Sequence, residues 1–310
     1  MQNSLNSPSR LNPLEADILR TILYFDIFSF PPTFDEVYHF LPQNSTSAEL
    51  VKDTCQGARL RSILRHQGEF VQLASRPNFT AQRLDREQRA APELRRARLV
   101  ARGLQFVPFI RGVFLSGELS KGLASPHSDI DFVVVTAEGR LWFVRSVLAV
   151  LKRLFFFGSK RFFCLNYFVA RQHLEHSERN QFTAIEIATL RPLIGFSVFN
   201  EYSRANQWIK DFLPNSLKVS RPQFDLDQTS KFQHLAESLL DLFLSDRFDQ
   251  RLMNLWKWVW MRRYPELSDE QRERQFRSLP YLSTAYGSDQ MNRILEAYQA
   301  RIAEHHLSSN

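Results

Sequence analysis

Apolar positions along the first third of the chain recur at helical spacing. Leu14, Ile18, Leu19, Ile22 and Leu23 fall on one helix face, which predicts an amphipathic helix near the start. Asn12-Pro13-Leu14-Glu15 supplies its beginning: an N-cap candidate, Pro at the first helical position and Glu at the third. A second helix is expected from Thr33, where Glu36 completes another capping box and Val37, Phe40 and Leu41 turn inward. A third is expected over about Ala48 to Arg65, with Leu60, Ile63 and Leu64 apolar. Gly68 to Leu73 then reads as a short strand pair.

Farther along, the period shifts between strand and helix. The pattern predicts a helix over about 92–108, a strand at 112–116 around Val113-Phe114-Leu115, and a second strand at 130–136 around Phe132 to Val135. A helix over 141–157, a strand at 161–170 and a helix from about Ala184 to Leu190 follow. This order predicts an α+β fold, a twisted mixed sheet with helices packed on it. From about Asn200 the chain reads as helical, with Phe232, Leu235, Leu239, Leu242 and Phe243 in one stripe. A second stripe holds Phe248, Leu252, Leu255, Trp256, Val259 and Trp260, and a last helix spans about Asp289 to His306 after a turn at Gly287-Ser288. Trp256, Trp258 and Trp260 cannot share one helix face. They predict a helix wedged between two partners rather than a base-stacking platform. Three units are expected: residues 1–80, 81–200 with a basic linker helix in front, and 201–310.

Three helices closed by a hairpin resemble a winged-helix module. Such modules often bind DNA through the third helix, which here offers Lys52, Arg59, Arg61 and Arg65. Packing against the neighbouring domain, or presenting substrate to it, is the favoured role.

Composition adds bounds. With 310 residues, 44% hydrophobic and 24% charged, the chain can bury a sizeable core. The net charge of +7 favours polyanionic partners, whether nucleotides, nucleic acid or an acidic surface. Its clearest basic segment, Arg83 to Arg102, reads as a solvated linker helix. Two cysteines, Cys55 and Cys164, make neither a disulfide framework nor a zinc site. The polar start carries no signal-peptide h-region. The most apolar stretch, Leu141 to Phe157, is interrupted by Arg145, Lys152 and Arg153, so it is expected as a buried crossover helix and not a membrane span. These features predict a cytoplasmic protein without membrane partners. His173 and His176 have the spacing of a metal pair but no evident third ligand.

The chemistry concentrates in residues 115–136. Asp129 and Asp131 stand at i and i+2, a spacing that puts two carboxylates on one face of a strand. Two such anions repel unless a cation lies between them. Mg²⁺ suits, since it commonly takes one or two carboxylates plus substrate phosphates. Upstream, Ser116-Gly117 ends an apolar run, and a glycine turn there lets backbone N–H groups approach phosphate. A strand, Gly117-Glu118, the spacer 119–128 and Asp129-Ile130-Asp131 before a second strand resemble the nucleotidyltransferase fold of DNA polymerase β and its relatives, over about residues 100–200.

That resemblance implies Mg²⁺- or Mn²⁺-dependent transfer of a nucleoside monophosphate from a nucleoside triphosphate (NTP) to an acceptor hydroxyl. It implies Asp129 and Asp131 as metal ligands, and Ser116, Gly117, Glu118, Lys121 and Ser128 around the phosphates. Two departures stand out. Glu118 occupies the place of a phosphate-binding Ser, and at roughly 4 Å a carboxylate would repel a phosphate by several kcal/mol. Asn166 occupies the place of a third carboxylate; an amide can ligate but cannot act as a base. Glu175, Glu178 and Glu186 are the substitutes in reach of the sequence. The other expectation is a binding protein, a decayed transferase domain that senses nucleotide or scaffolds, with the N-terminal module on DNA or a protein partner.

Overall fold

Both expected capping boxes form. In a computed structural model, which describes residues 11–307 apart from 43–45, 158, 160, 162, 217–230 and 287–288, α1 (Pro13–Asp26) starts at Asn12. The Asn12 side chain accepts from the Glu15 N–H at 2.9 Å, and the Glu15 carboxylate accepts from the Asn12 N–H at 2.8 Å. Thr33 and Glu36 repeat this at α2 (Phe34–His39). The expected third helix is shorter than its apolar pattern. It divides into α3 (Ala48–Cys55) and α4 (Ala58–Arg61) at Gly57. A β-carbon on Gly57 would stand 3.0 Å from the Thr54 carbonyl oxygen, so the tight reversal suits glycine. Arg65 therefore lies in a hairpin, β1 (Leu64–Gln67) paired antiparallel with β2 (Phe70–Leu73).

The linker is one helix, α5 (Thr80–Leu104). Arg83 pairs with Glu36 and Glu87, Arg86 with Glu118, Arg89 with Asp85 and Arg96 with Glu93. Much of its basic charge is thus spent inside the molecule, and two of these pairs tie the flanking units together.

The sheet follows as β3 (Ile110–Ser116), the short α6 (Gly117–Ser120), β4 (Asp131–Thr136), α7 (Leu141–Phe156), β5 (Cys164–Ala170), α8 (Gln181–Ala188) and β6 (Arg191–Ile194). β3 lies antiparallel between β6 and β4, while β4 and β5 run parallel across the α7 crossover. Then come α9 (Phe196–Ala205), α10 (Ile209–Phe212), α11 (Lys231–Asp241), α12 (Asp246–Arg263), α13 (Asp269–Gln275), β7 (Ser278–Leu279), β8 (Leu282–Thr284) and α14 (Gln290–Glu304). The last third is not helical throughout. β8 pairs with β5 and β7 with β8, so the order is β6-β3-β4-β5-β8-β7, a mixed sheet in an α+β fold. The expected turn at Gly287-Ser288 lies outside the described residues.

Strand alternation divides the apolar side chains between two cores. Phe132, Val134 and Phe168 face one, with α5, α7 and α12; Val133, Val135 and Tyr167 face the other. That second core runs without a break into α1, α2, α3 and the hairpin. Tyr24 meets Tyr298 of α14 edge to face at 5.6 Å, and Asp26 accepts hydrogen bonds from Arg76 and Arg301. The N-terminal module is built into the protein. Of the four basic residues expected on its third helix, Lys52 is exposed on α3 beside Glu49 and Asp53, Arg59 and Arg61 are exposed on α4, and Arg65 is exposed on β1.

α7 is the crossover helix that the pattern predicts, but only its first half is enclosed. Leu141, Trp142, Val144 and Leu148 are buried, whereas Val150, Leu154 and Phe155 are exposed. Arg145 on the inner face lies 4.9 Å from the Trp256 ring, 5.0 Å from Phe168 and 5.4 Å from Trp260. Burial lowers its guanidinium to about 9, so it stays cationic at neutral pH. Trp260 stacks on Phe276 at 4.7 Å and Trp258 faces outward, which fits the wedged-helix reading of the tryptophans. No helix among the described residues is long and apolar enough to cross a membrane.

Candidate phosphate and metal site

β3 delivers Ser116 opposite Asp131, its direct partner across the antiparallel pair with β4. The chain then turns at Gly117, with φ +68°. A β-carbon at Gly117 would stand 2.6 Å from Asp131 Oδ2, so only glycine lets the main chain pass this close to the carboxylate. The turn and the start of β4 therefore meet as one constellation.

Asn166 joins it from β5. Its Nδ2 donates to Asp131 Oδ1 at 2.9 Å, while its Oδ1 accepts from the Cys164 thiol at 3.2 Å. The third-carboxylate position is thus in contact with Asp131, but as a hydrogen-bond donor. Burial first, then the charges of Asp129 and Glu186, push Asp131 up to about 6, against the Cys164 hydrogen bond and Lys121. Burial also drives the Cys164 thiol up to about 12, so it is inert as a nucleophile.

Lys121 and Glu186 complete the set. Lys121 Nζ donates to Glu186 Oε1 at 2.7 Å and to the Gly117 carbonyl at 3.2 Å. Glu186 belongs to α8, far along the chain, and only the fold selects it over Glu175 and Glu178. Glu175 pairs with Arg179 and Glu178 with Arg277.

Glu118 lines the same cavity with its carboxylate already engaged. It pairs with Arg86 of α5 and accepts from the Ser125 N–H at 3.0 Å and the Ser125 hydroxyl at 2.8 Å. Burial alone would raise its carboxyl, yet Arg86 and Ser125 outweigh that and hold it below the usual range. Its charge is neutralised before any ligand arrives. Ser128 and Asp129 lie in the loop before β4, and the Ser128 hydroxyl donates to the Ser125 carbonyl at 3.0 Å.

Ser116, Gly117, Lys121, Asp131, Asn166 and Glu186 all face a cavity of about 1090 Å³. Tyr24, Phe28 and Phe30 from the N-terminal module form part of its wall, and Tyr281 and Tyr286 from the C-terminal region another. Tyr286 is half accessible on this wall, and its desolvated phenol is lifted well above the ordinary range. His173 stacks on Tyr281 at 4.1 Å, whereas His176 stacks on Tyr167 at 5.0 Å and contacts the Tyr202 hydroxyl. Burial, then Arg277, lowers His176 to about 4, which keeps it neutral. The two histidines do not converge on a metal.

Among the described residues, no three His, Cys, Asp or Glu side chains are arranged to hold a metal ion. The carboxylate oxygens of Asp131 and Glu186 that line the cavity are of the hard type that Mg²⁺ takes. Burial first, and the charges of Asp129 and Glu186 after it, hold the proton on Asp131, and a hard cation with one or two carboxylates and substrate oxygens would offset both. Comparison with protein-family models, curated proteins and solved structures finds no match to this chain.

Proposed function

We propose that the cavity binds a nucleoside triphosphate with Mg²⁺ or Mn²⁺ and that the protein is a nucleotidyltransferase-like enzyme. The approach of the Gly117 turn to Asp131, at the wall of a cavity ample for a nucleotide and an acceptor, carries this reading. Backbone N–H groups at a left-handed glycine turn suit phosphate oxygens. Lys121, released from Glu186, would follow the triphosphate charge. Asp129 and Asp131 would hold the cation, whose role when bound is to neutralise charge on the phosphates as an acceptor hydroxyl displaces pyrophosphate. Asn166 would orient Asp131 through its amide hydrogen.

The aromatic wall from the N-terminal module supports a substrate-presenting role for that module, and the division of its basic residues among α3, α4 and β1 weighs against one recognition helix for DNA. A nucleotide sensor without transfer is the second reading, favoured by the amide of Asn166 where a base is expected. Incubation with each α-labelled triphosphate, Mg²⁺ or Mn²⁺ and candidate acceptors tests both. Transfer abolished by Asp129→Ala/Asp131→Ala supports the enzyme; nucleotide binding without transfer supports the sensor; neither refutes the site.

A further inference from the structure

The helical layer on the sheet face opposite the cavity carries an unusual surface. α7, α11 and α12 pack on one core, where Val147 and Leu151 of α7, Leu240 of α11, and Leu252 and Trp256 of α12 all meet. Outside that contact they expose large apolar side chains. Leu235, Leu239 and Leu242 follow one face of α11 and its end. At the α11–α12 tip Leu242 is 76% and Phe243 82% exposed, and Phe157 at the end of α7 is 94% exposed. Phe248, Leu255, Trp258 and Met261 continue along α12.

Charge on α7 and on the later part of α12 has one sign. No Asp or Glu occurs between Leu141 and Arg161 or between Gln250 and Pro265. Of the carboxylates on α11 and early α12, Glu237 is buried against Arg111 and Asp249 against the N–H groups of Trp142 and Phe143, while Asp241 and Asp246 stay at the surface with their charge paired to Arg140. Arg153, Arg247, Arg251, Lys257 and Arg262 are exposed, and none forms an ion pair with a described residue. Arg262 lies 5.2 Å from the Trp258 ring.

We infer that this layer docks on an anionic membrane surface, lying on the bilayer rather than spanning it. Basic residues interleaved with Trp, Phe and Leu on a surface helix are what a headgroup boundary accepts: cations meet lipid phosphates and carboxylates, and apolar tips enter the acyl edge. A second copy of this chain fits poorly, because it would set the arginines of α12 against one another, and the exposed carboxylates Asp241 and Asp246 are already paired with Arg140. Nucleic acid matches the charge but leaves Leu235, Leu239, Leu242 and Met261 without apolar partners. Docking here leaves the cavity free on the other sheet face. The inference rests on the outer surface alone and stands apart from the chemistry of the cavity.

Cosedimentation of the full chain with vesicles of phosphatidylcholine, with and without phosphatidylserine, tests it. Binding to the anionic vesicles alone is expected, weakening with salt, with a blue shift of tryptophan emission that Trp258→Phe removes. Arg251→Ser/Lys257→Ser/Arg262→Ser lowers partitioning by roughly fivefold per charge. Leu242→Ser/Phe243→Ser lowers it by roughly a hundredfold. Both sets replace exposed side chains and keep the wild-type melting temperature. The proposal is overturned if the wild type ignores anionic vesicles, or if the charge variant binds them equally well. It also fails if the substitutions instead dissolve a dimer seen in sedimentation velocity, or if an oligonucleotide binds where vesicles do not.

Discussion

The main chain of Gly117 passes so near the Asp131 carboxylate that a β-carbon there would stand 2.6 Å from Oδ2. Gly117→Ala must therefore displace Asp131 as well as hold an L-residue at φ +68°. The backbone strain alone costs about 1–2 kcal/mol. The variant is expected to unfold at lower denaturant and to lose any melting shift caused by nucleotide and metal. A wild-type nucleotide response would contradict this.

The buried Asp131 carboxylate is a burden on stability near neutral pH. Its carboxyl titrates at about 6 in the folded chain against 3.8 without the fold, so the native state holds the proton more tightly. The carboxyl's own contribution to stability is then fully present below pH 3.8 and is lost as the pH rises through 6. Asp131→Asn should stabilise the ligand-free protein near neutral pH by about 1–3 kcal/mol, two pKa units less some screening by cavity water. Thermal melts across pH check it: the gain must vanish in acid.

Glu118 behaves in the opposite sense. Its carboxyl is held below the ordinary 4.5 by Arg86 and Ser125 despite burial, so its contribution is present above that pH and is lost in acid. Glu118→Gln leaves Arg86 half-buried without its anion and should cost about 2 kcal/mol near neutral pH. A double-mutant cycle with Arg86→Ala isolates the pair. A coupling near zero would mean that the contact does not anchor the turn.

These residues show what a sequence can and cannot disclose. The capping boxes at Asn12 and Thr33, the glycine turn and the Asp131 strand are local patterns, and each is readable from a few neighbours. The Lys121–Glu186 pair joins residues on different elements, and no spacing rule chooses Glu186 over Glu175 or Glu178. The fate of Glu118 depends on Arg86, which reads as part of a solvated linker until α5 is packed against the turn. β7 and β8 escaped because strands of two or three residues show no period; they exist through pairing with β5. The helix expected through Arg65 stopped at Gly57 because its apolar residues serve α4 and a strand equally well.

Asp26 probes how firmly the N-terminal module belongs to the rest. Its buried carboxylate receives Arg76 from beyond the hairpin and Arg301 from α14. Asp26→Ala strands both cations and should cost about 2–4 kcal/mol. Because one core runs through the module and the sheet, unfolding should remain a single transition by calorimetry. A separate low-temperature transition of the module would contradict that integration.

Calorimetric titration of each nucleoside triphosphate into the protein, with and without Mg²⁺ or Mn²⁺, tests the central claim most directly. The account predicts saturable, cation-dependent binding of at least one triphosphate, abolished by Asp131→Ala while the fold is retained. Binding that is indifferent to Asp131, or no binding of any triphosphate with either cation, would contradict it.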